Sequence, residues 1–191
     1  MEAGEVGRGA VAAGSPATRV GTLPRGLWGR FVLAGAWVGL NDISFAIAVW
    51  TGIYRRVSPE RILQSIAAGL LSPAAFEGGA ATAALGLFLH FMVAYGWTAV
   101  FLVALLTWPA LRARVARPGW ALGIGLLYGA LVWLGMDFIV LPLSRARATP
   151  VSAPWFWMQL VQHPFLVGLP IVWVLSGAWR RNASHASGAA P

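Results

Sequence analysis

Four long apolar runs constrain this chain more than any other feature. They cover about residues 28–53, 79–107, 119–143 and 156–178. A helix rises about 1.5 Å per residue, so about 20 apolar residues cross a hydrocarbon core about 30 Å thick. Each run is long enough. Backbone exposed to lipid must satisfy its own hydrogen bonds, which leaves helices or closed barrels. The runs are continuous and far exceed the roughly 9–11 residues of a barrel strand, so helices are expected. The fourth run is the least regular, because it holds Gln159, Gln162, His163, Pro164 and Pro170.

Composition points the same way. The 191 residues are 58% hydrophobic and 10% charged, with mean hydropathy +0.69. Soluble domains carry about 25% charged and 45–50% apolar residues. The net charge is +8 and all fourteen basic residues are arginine. These arginines flank the apolar runs in small groups and do not line one face of a soluble fold, so nucleic acid is not the expected partner. Flanking arginine instead holds loops in the cytoplasm and meets anionic headgroups. The absence of cysteine excludes disulfides, thiolate metal sites and cysteine nucleophiles. Arginine without lysine, beside abundant Ala and Gly, fits a bacterial source.

Residues 1–26 are small, polar and glycine-rich, and are expected to be a disordered tail. They place the first run too far along for an ordinary signal peptide, and the run exceeds the 7–15 residues or so of a signal core. It should remain as an anchor. Residues 181–191 are expected to be a second disordered tail, leaving 27–180 as the transmembrane domain. With four spans the termini share a side. That side and the 108–118 loop hold nine arginines, Arg8, Arg19, Arg25, Arg30, Arg112, Arg114, Arg117, Arg180 and Arg181. The other side holds five, Arg55, Arg56, Arg61, Arg145 and Arg147. The expected topology has both termini cytoplasmic. Tryptophan prefers the headgroup level, and seven of the eleven fall there: Trp28, Trp108, Trp120 and Trp179 at one interface, Trp50, Trp155 and Trp157 at the other.

Between the first two runs, Ser58, Pro59 and Glu60 form a helix start signal. Ile62, Leu63, Ile66, Ala67 and Leu70 then share a face. A short amphipathic helix over about 58–71, lying at the membrane surface, is expected. Ser72-Pro73 repeats the start signal before the second run.

Helices in lipid associate through close approach at small residues and through interhelical hydrogen bonds. The second run carries Gly78, Thr82, Gly86, His90 and Ala94 in one column of i, i+4 spacing. The third carries Ala121, Gly125, Gly129, Trp133 and Asp137 in another. In the first, Asp42 follows Gly35 and Gly39 on the same stripe, with Asn41 beside it. Charge at mid-bilayer costs from about 2.5 to 17 kcal/mol, which favours interior, paired positions. Matching depths give two expected pairs, Asp42 with His90 and Asp137 with His163. The candidate buried polar cluster is therefore Asn41, Asp42, His90, Asp137 and His163.

Three chemistries compete for that cluster. Buried Asp–His pairs can simply hold helices in register. The same residues can pass protons, because histidine titrates near neutrality. They can also ligate a divalent metal, although no His-x-x-x-His or Glu-x-x-His spacing occurs on one helix. Pro142, Pro164 and Pro170 offer broken helices of the kind that line transport sites. Asn182-Ala183-Ser184 matches a glycosylation triplet but falls on the side read as cytoplasmic. There is no phosphate-binding glycine loop and no nucleophile elbow, so an enzyme is the less favoured class.

Several segments together resemble one family. SPERILQSIAAGLL, the AFEGG turn, ALGLFLHFMVA, LYGALVWLGMDFIVLPLS and HPFLVGLPIVW, in that order, are similar to the YagU-like family of small bacterial inner-membrane proteins. The resemblance covers about residues 58–175 and the Gly39 to Ile43 step. It implies a histidine at His90, a polar residue at Asp137 ahead of Pro142, and a histidine at His163. Aspartate at 137 departs from the asparagine or histidine that the resemblance implies. It further implies an inner-membrane location and a four-helix core, and brings no biochemical activity.

The expectation is thus an all-α integral protein of the bacterial inner membrane, with four transmembrane helices and an interfacial helix. The expected partners are the lipid bilayer and, in a homo-oligomer, further copies of the chain; no cofactor and no nucleic acid are expected. A non-enzymatic structural or stress-related role is expected first. A small proton or solute conductor using Asp42, His90, Asp137 and His163 is the alternative.

Overall fold

The computed structural model describes residues 23–24, 26–55, 57–146 and 153–187. The tail expected at 1–26 lies outside these residues, except for Leu23, Pro24 and Gly26. So do Arg56 and Arg147. The chain is all-α, and four helices are long and apolar enough to cross a membrane: Leu27–Ile53, Gly79–Thr107, Pro118–Leu143 and Pro154–Arg180. They are called spans 1 to 4. Their bounds lie within two residues of those read from hydropathy, because lipid length and the flanking Trp, Pro and Gly fix both ends.

In chain order the elements are α1 (Leu27–Ile47), α2 (Pro59–Leu71), α3 (Gly79–Thr107), α4 (Pro109–Val115), α5 (Pro118–Gly135), α6 (Leu141–Leu143), α7 (Pro154–His163) and α8 (Leu169–Ser187). α8 runs into the residues expected to be a tail. The 108–118 connection, expected as a loop, folds as α4. Wide π-helical turns interrupt spans 3 and 4, at Met136–Val140 and Pro164–Gly168, and another ends span 1 at Ala48–Ile53. Proline has no N–H and crowds the preceding turn, so the ladder widens next to Pro142, Pro164 and Pro170. Gly26 starts α1 at φ 74 and Gly79 starts α3 at φ 55, a left-handed conformation that suits glycine.

Span 1 packs on spans 2 and 4, and span 4 packs on span 3. The contacts follow the small-residue columns. Gly35 and Gly39 accommodate the rings of Tyr95 and Phe91. Gly125 faces the backbone of Leu169, and Gly129 faces Pro164 and the His163 carbonyl. Gly168 meets the backbone of Gly129 itself. All five members of the third-span column are buried. Spans 2 and 3 reach each other through large side chains: the Tyr128 hydroxyl donates to the Trp97 carbonyl, and Phe101 packs on Tyr128 at 4.8 Å between centroids.

The half of the bundle near the termini is filled. Leu105, Ile171, Val172, Leu175 and Val115 are wholly enclosed, and Phe101 and Leu102 pack beside them. Arginines at this end donate to backbone carbonyls. Arg112 donates to Leu105 and Leu106, Arg180 to Trp173, and Arg30 crosses from span 1 to the Val174 carbonyl at 2.7 Å.

α2 starts as its sequence signal predicts: the Ser58 hydroxyl accepts from the Arg61 N–H at 3.3 Å, with Pro59 in the first turn. Its packing differs from the expected surface face. Ile62, Gln64, Ala67 and Ala68 are buried, while Leu70 is 54% exposed. The cause is Gly86, which lets the α2 backbone at Leu63 approach span 2 seven residues inside its start. Gln64 turns inward and donates to the Gly79 carbonyl at 3.2 Å. Ser72–Glu77 winds as a tight 3-10 turn, and Thr82 donates back to Ala75 at 2.6 Å. At the other end of α2 the Arg145 N–H donates to the Gly69 carbonyl at 2.8 Å.

Candidate functional site

Docked α2 roofs a cleft in the half of the bundle opposite the termini. The cleft has a volume of about 1120 Å³. Its walls come from spans 1 to 4, from α2 and from the 144–146 segment. They are mostly apolar and include Ile43, Trp50, Phe76, Val93, Met136 and Trp155. Trp50 and Trp155 pack at 5.3 Å between centroids. Asp42, His90, Asp137, Gln159, Gln162 and His163 supply the polar lining. A cleft of this kind, apolar with a few convergent polar groups, is the usual form of a small-molecule site.

Four of the five expected cluster residues therefore meet in one place. Asp42, His90 and Asp137 arrive there because their small-residue columns turn toward neighbouring helices, and His163 reaches it from span 4. Asn41 does not join them. It donates to the Trp37 carbonyl one turn back on its own helix, at 2.9 Å, and lines no part of the cleft. One residue of helix advances about 100°, which is enough to separate Asn41 from Asp42.

Neither expected pair is joined by a hydrogen bond, although His163 stands near enough to Asp137 to interact with it electrostatically. Asp42 takes its hydrogen bond from Gln162, Nε2 to Oδ1 at 2.7 Å. His90 Nε2 lies 2.9 Å from the Gly39 carbonyl, three residues from Asp42. His163 Nδ1 lies 2.8 Å from the Gln159 carbonyl and 3.1 Å from Gln162 Nε2. Asp137 is 9% exposed, accepts no hydrogen bond from a described residue, and has Oδ2 wholly enclosed. Depth along the span was the right guide to who shares the cleft. It could not rank partners, because a glutamine one residue from His163 competes for the same carboxylate.

Sequence reasoning left Gln159 and Gln162 out of the cluster. Their signal was present: with His163 they fall at i, i+3 and i+4 on one face of an apolar span. Trp50 and Trp155, read as interface markers, also form part of the cleft wall.

A smaller cavity of about 60 Å³ lies deeper, lined by Val38, Asp42, His90, Trp97, Val132 and His163 among others. It has room for a few waters. Toward the termini it gives way to Thr98, Phe101 and Tyr128, and then to the filled core. Among the described residues, no three His, Cys, Asp or Glu side chains stand close enough together to hold a metal.

Comparison with known protein families, with curated proteins and with solved structures finds no match to the chain.

Proposed function

We propose that this integral membrane protein binds a small molecule in the cleft, which opens toward the membrane face opposite its termini. The observation that carries the reading is the cleft itself: about 1120 Å³, with Asp137, Gln162 and His163 buried in its lining. Buried polar groups in a membrane are costly and mark functional sites. A role confined to helix register gives no account of a space this large beside them.

The excess of flanking arginine on the terminal side, nine against five, supports cytoplasmic termini and so a cleft facing away from the cytoplasm. The bacterial inner membrane is the setting favoured by that topology and by the YagU-like resemblance. The reading is non-enzymatic, because the cleft lining offers no activated nucleophile. Proton or solute conduction is the second reading, favoured by the smaller cavity that continues inward past Asp42 and His90. Binding is preferred because the terminal half of the bundle is filled.

The natural absence of cysteine gives a direct test. Single variants Ala46→Cys and Val140→Cys line the cleft, and Val172→Cys lies in the filled half. In sealed vesicles of known orientation, an impermeant maleimide should label the first two from the face opposite the termini and Val172→Cys from neither. Equal silence of all three, with full labelling after denaturation, would rule the reading out.

A further inference from the structure

The hydrogen bonds already made around the cleft decide what its lining has left to offer. A backbone carbonyl can only accept, so the His90 nitrogen facing Gly39 carries hydrogen and its other ring nitrogen is left toward the cleft. His163 Nδ1 is already engaged, between the Gln159 carbonyl and the Gln162 amide nitrogen. Asp42 uses Oδ1 toward Gln162 and keeps Oδ2. Asp137 uses neither oxygen toward a described residue, and Gln162 Oε1 has no partner although the residue is 8% exposed. Of the three serine hydroxyls at the cleft, those of Ser65 and Ser144 already donate to the carbonyls of Ile62 and Leu141, and that of Ser72 is left. Among the described residues the one arginine at the cleft, Arg145, is exposed at its edge and directed to the Leu70 carbonyl.

What remains is rich in acceptors: two carboxylates, the Gln162 amide oxygen and an imidazole nitrogen of His90, beside the Ser72 hydroxyl and the Gln159 amide, which can also donate. Neither carboxylate has an arginine or histidine as hydrogen-bond partner among the described residues. A ligand head that completes this set must donate several hydrogen bonds and bring positive charge. We propose that the ligand is a primary ammonium carried on an apolar body, with its nitrogen at Asp137 and Asp42 and its body against Trp50 and Trp155.

Other head groups fit less well. An alcohol donates but brings no charge. A quaternary ammonium brings charge but cannot donate. A carboxylate or phosphate would meet two carboxylates of its own sign. A bare divalent ion lacks a ligand set and leaves the apolar walls unfilled. The tilted Trp50–Trp155 pair gives the apolar body an aromatic surface to pack on. This inference rests on the cleft being a binding site.

The experiment uses the full chain in nanodiscs, with 2-phenylethylammonium as the probe and empty nanodiscs as the partition control. Its N,N,N-trimethyl analogue, 2-phenylethanol and 3-phenylpropionate are the comparisons. The ammonium should bind saturably. The trimethyl analogue and the alcohol should bind about ten-fold more weakly, the loss expected for charge-assisted hydrogen bonds, and the carboxylate not at all. Asp137→Asn and Asp42→Asn should each weaken the ammonium about ten-fold.

A second measurement needs no carboxylate variant: the ammonium should protect Ala46→Cys from maleimide, and the trimethyl analogue should not. Equal binding of all four probes, or absence of selective protection, overturns the inference. If Ala46→Cys labels but the ammonium neither binds nor protects, the inference fails and the cleft reading stands. If Ala46→Cys never labels, both fail.

Discussion

Gln162 on span 4 donates to Asp42 on span 1 across 2.7 Å, and its own Oε1 is left without a partner. The bond ties the two spans together beside the cleft and makes a glutamine the hydrogen-bond partner of Asp42. Gln162→Leu should lower stability by about 0.5–2 kcal/mol, the range for a hydrogen bond between membrane helices. Gln162→Glu should cost more, because it sets a carboxylate against Asp42. Steric trapping or reversible unfolding in mixed micelles would read both. A glutamate variant as stable as wild type would mean that the bond is absent.

The glycines divide into two groups by what surrounds them. A Cβ on Gly168 would fall on the backbone of Gly129, and one on Gly125 would press on the backbone of Leu169. Backbone cannot swing aside as a side chain can. Gly168→Ala should therefore destabilise by about 1–3 kcal/mol, as overpacking does. Gly96 and Gly123 have nothing within 4 Å of that position. Alanine there should be neutral or stabilising by up to about 1 kcal/mol, through helix propensity alone. Thermal unfolding of the four single variants in one detergent would compare them, and equal effects would contradict the packing described.

Gly86 holds α2 against span 2, with the Leu63 carbonyl directly over it. Gly86→Val should loosen α2 while leaving the spans in place. The expected readout is faster proteolysis within 54–78 and faster maleimide labelling of a cleft cysteine such as Val140→Cys. Unchanged rates would show that α2 is retained by its other contacts.

The filled terminal half bears on conduction. Leu105, Ile171 and Leu175 are 0% exposed and fill the core beyond the smaller cavity with apolar side chains. Liposomes holding the wild-type protein should therefore acidify no faster than empty ones after an external acid step, in either orientation. Flux that disappears in His90→Ala would reverse this and make His90 a proton relay.

His90 itself is expected to act as a tether to the Gly39 carbonyl. His90→Leu should cost about 0.6–2 kcal/mol in unfolding experiments, whereas His90→Gln can keep a donor and recover part of that loss. Equal loss in both would argue against the tether.

Much of this architecture was legible in the residues. Span lengths follow from the thickness of lipid, and hydropathy together with Trp, Pro and Gly placed every boundary within two residues. The columns through Gly86, Gly129 and Gly39 turned inward as spacing required, because a 3.6-residue repeat makes one face of each helix consistent. The same repeat brought Asp42, His90, Asp137 and His163 into shared space. Spacing ranks faces but not partners. Gln162 reached Asp42 first, Asn41 turned back to its own helix, and Leu70 was left exposed when Gly86 drew α2 onto span 2. Those outcomes depend on how helices cross and on contacts of about 3 Å, which no one-dimensional period encodes. The cleft is of the same kind. It exists because span 1 closes on span 2 and span 3 on span 4 at glycine, while spans 2 and 3 are held apart by Trp97, Phe101 and Tyr128, and only the assembled bundle decides that.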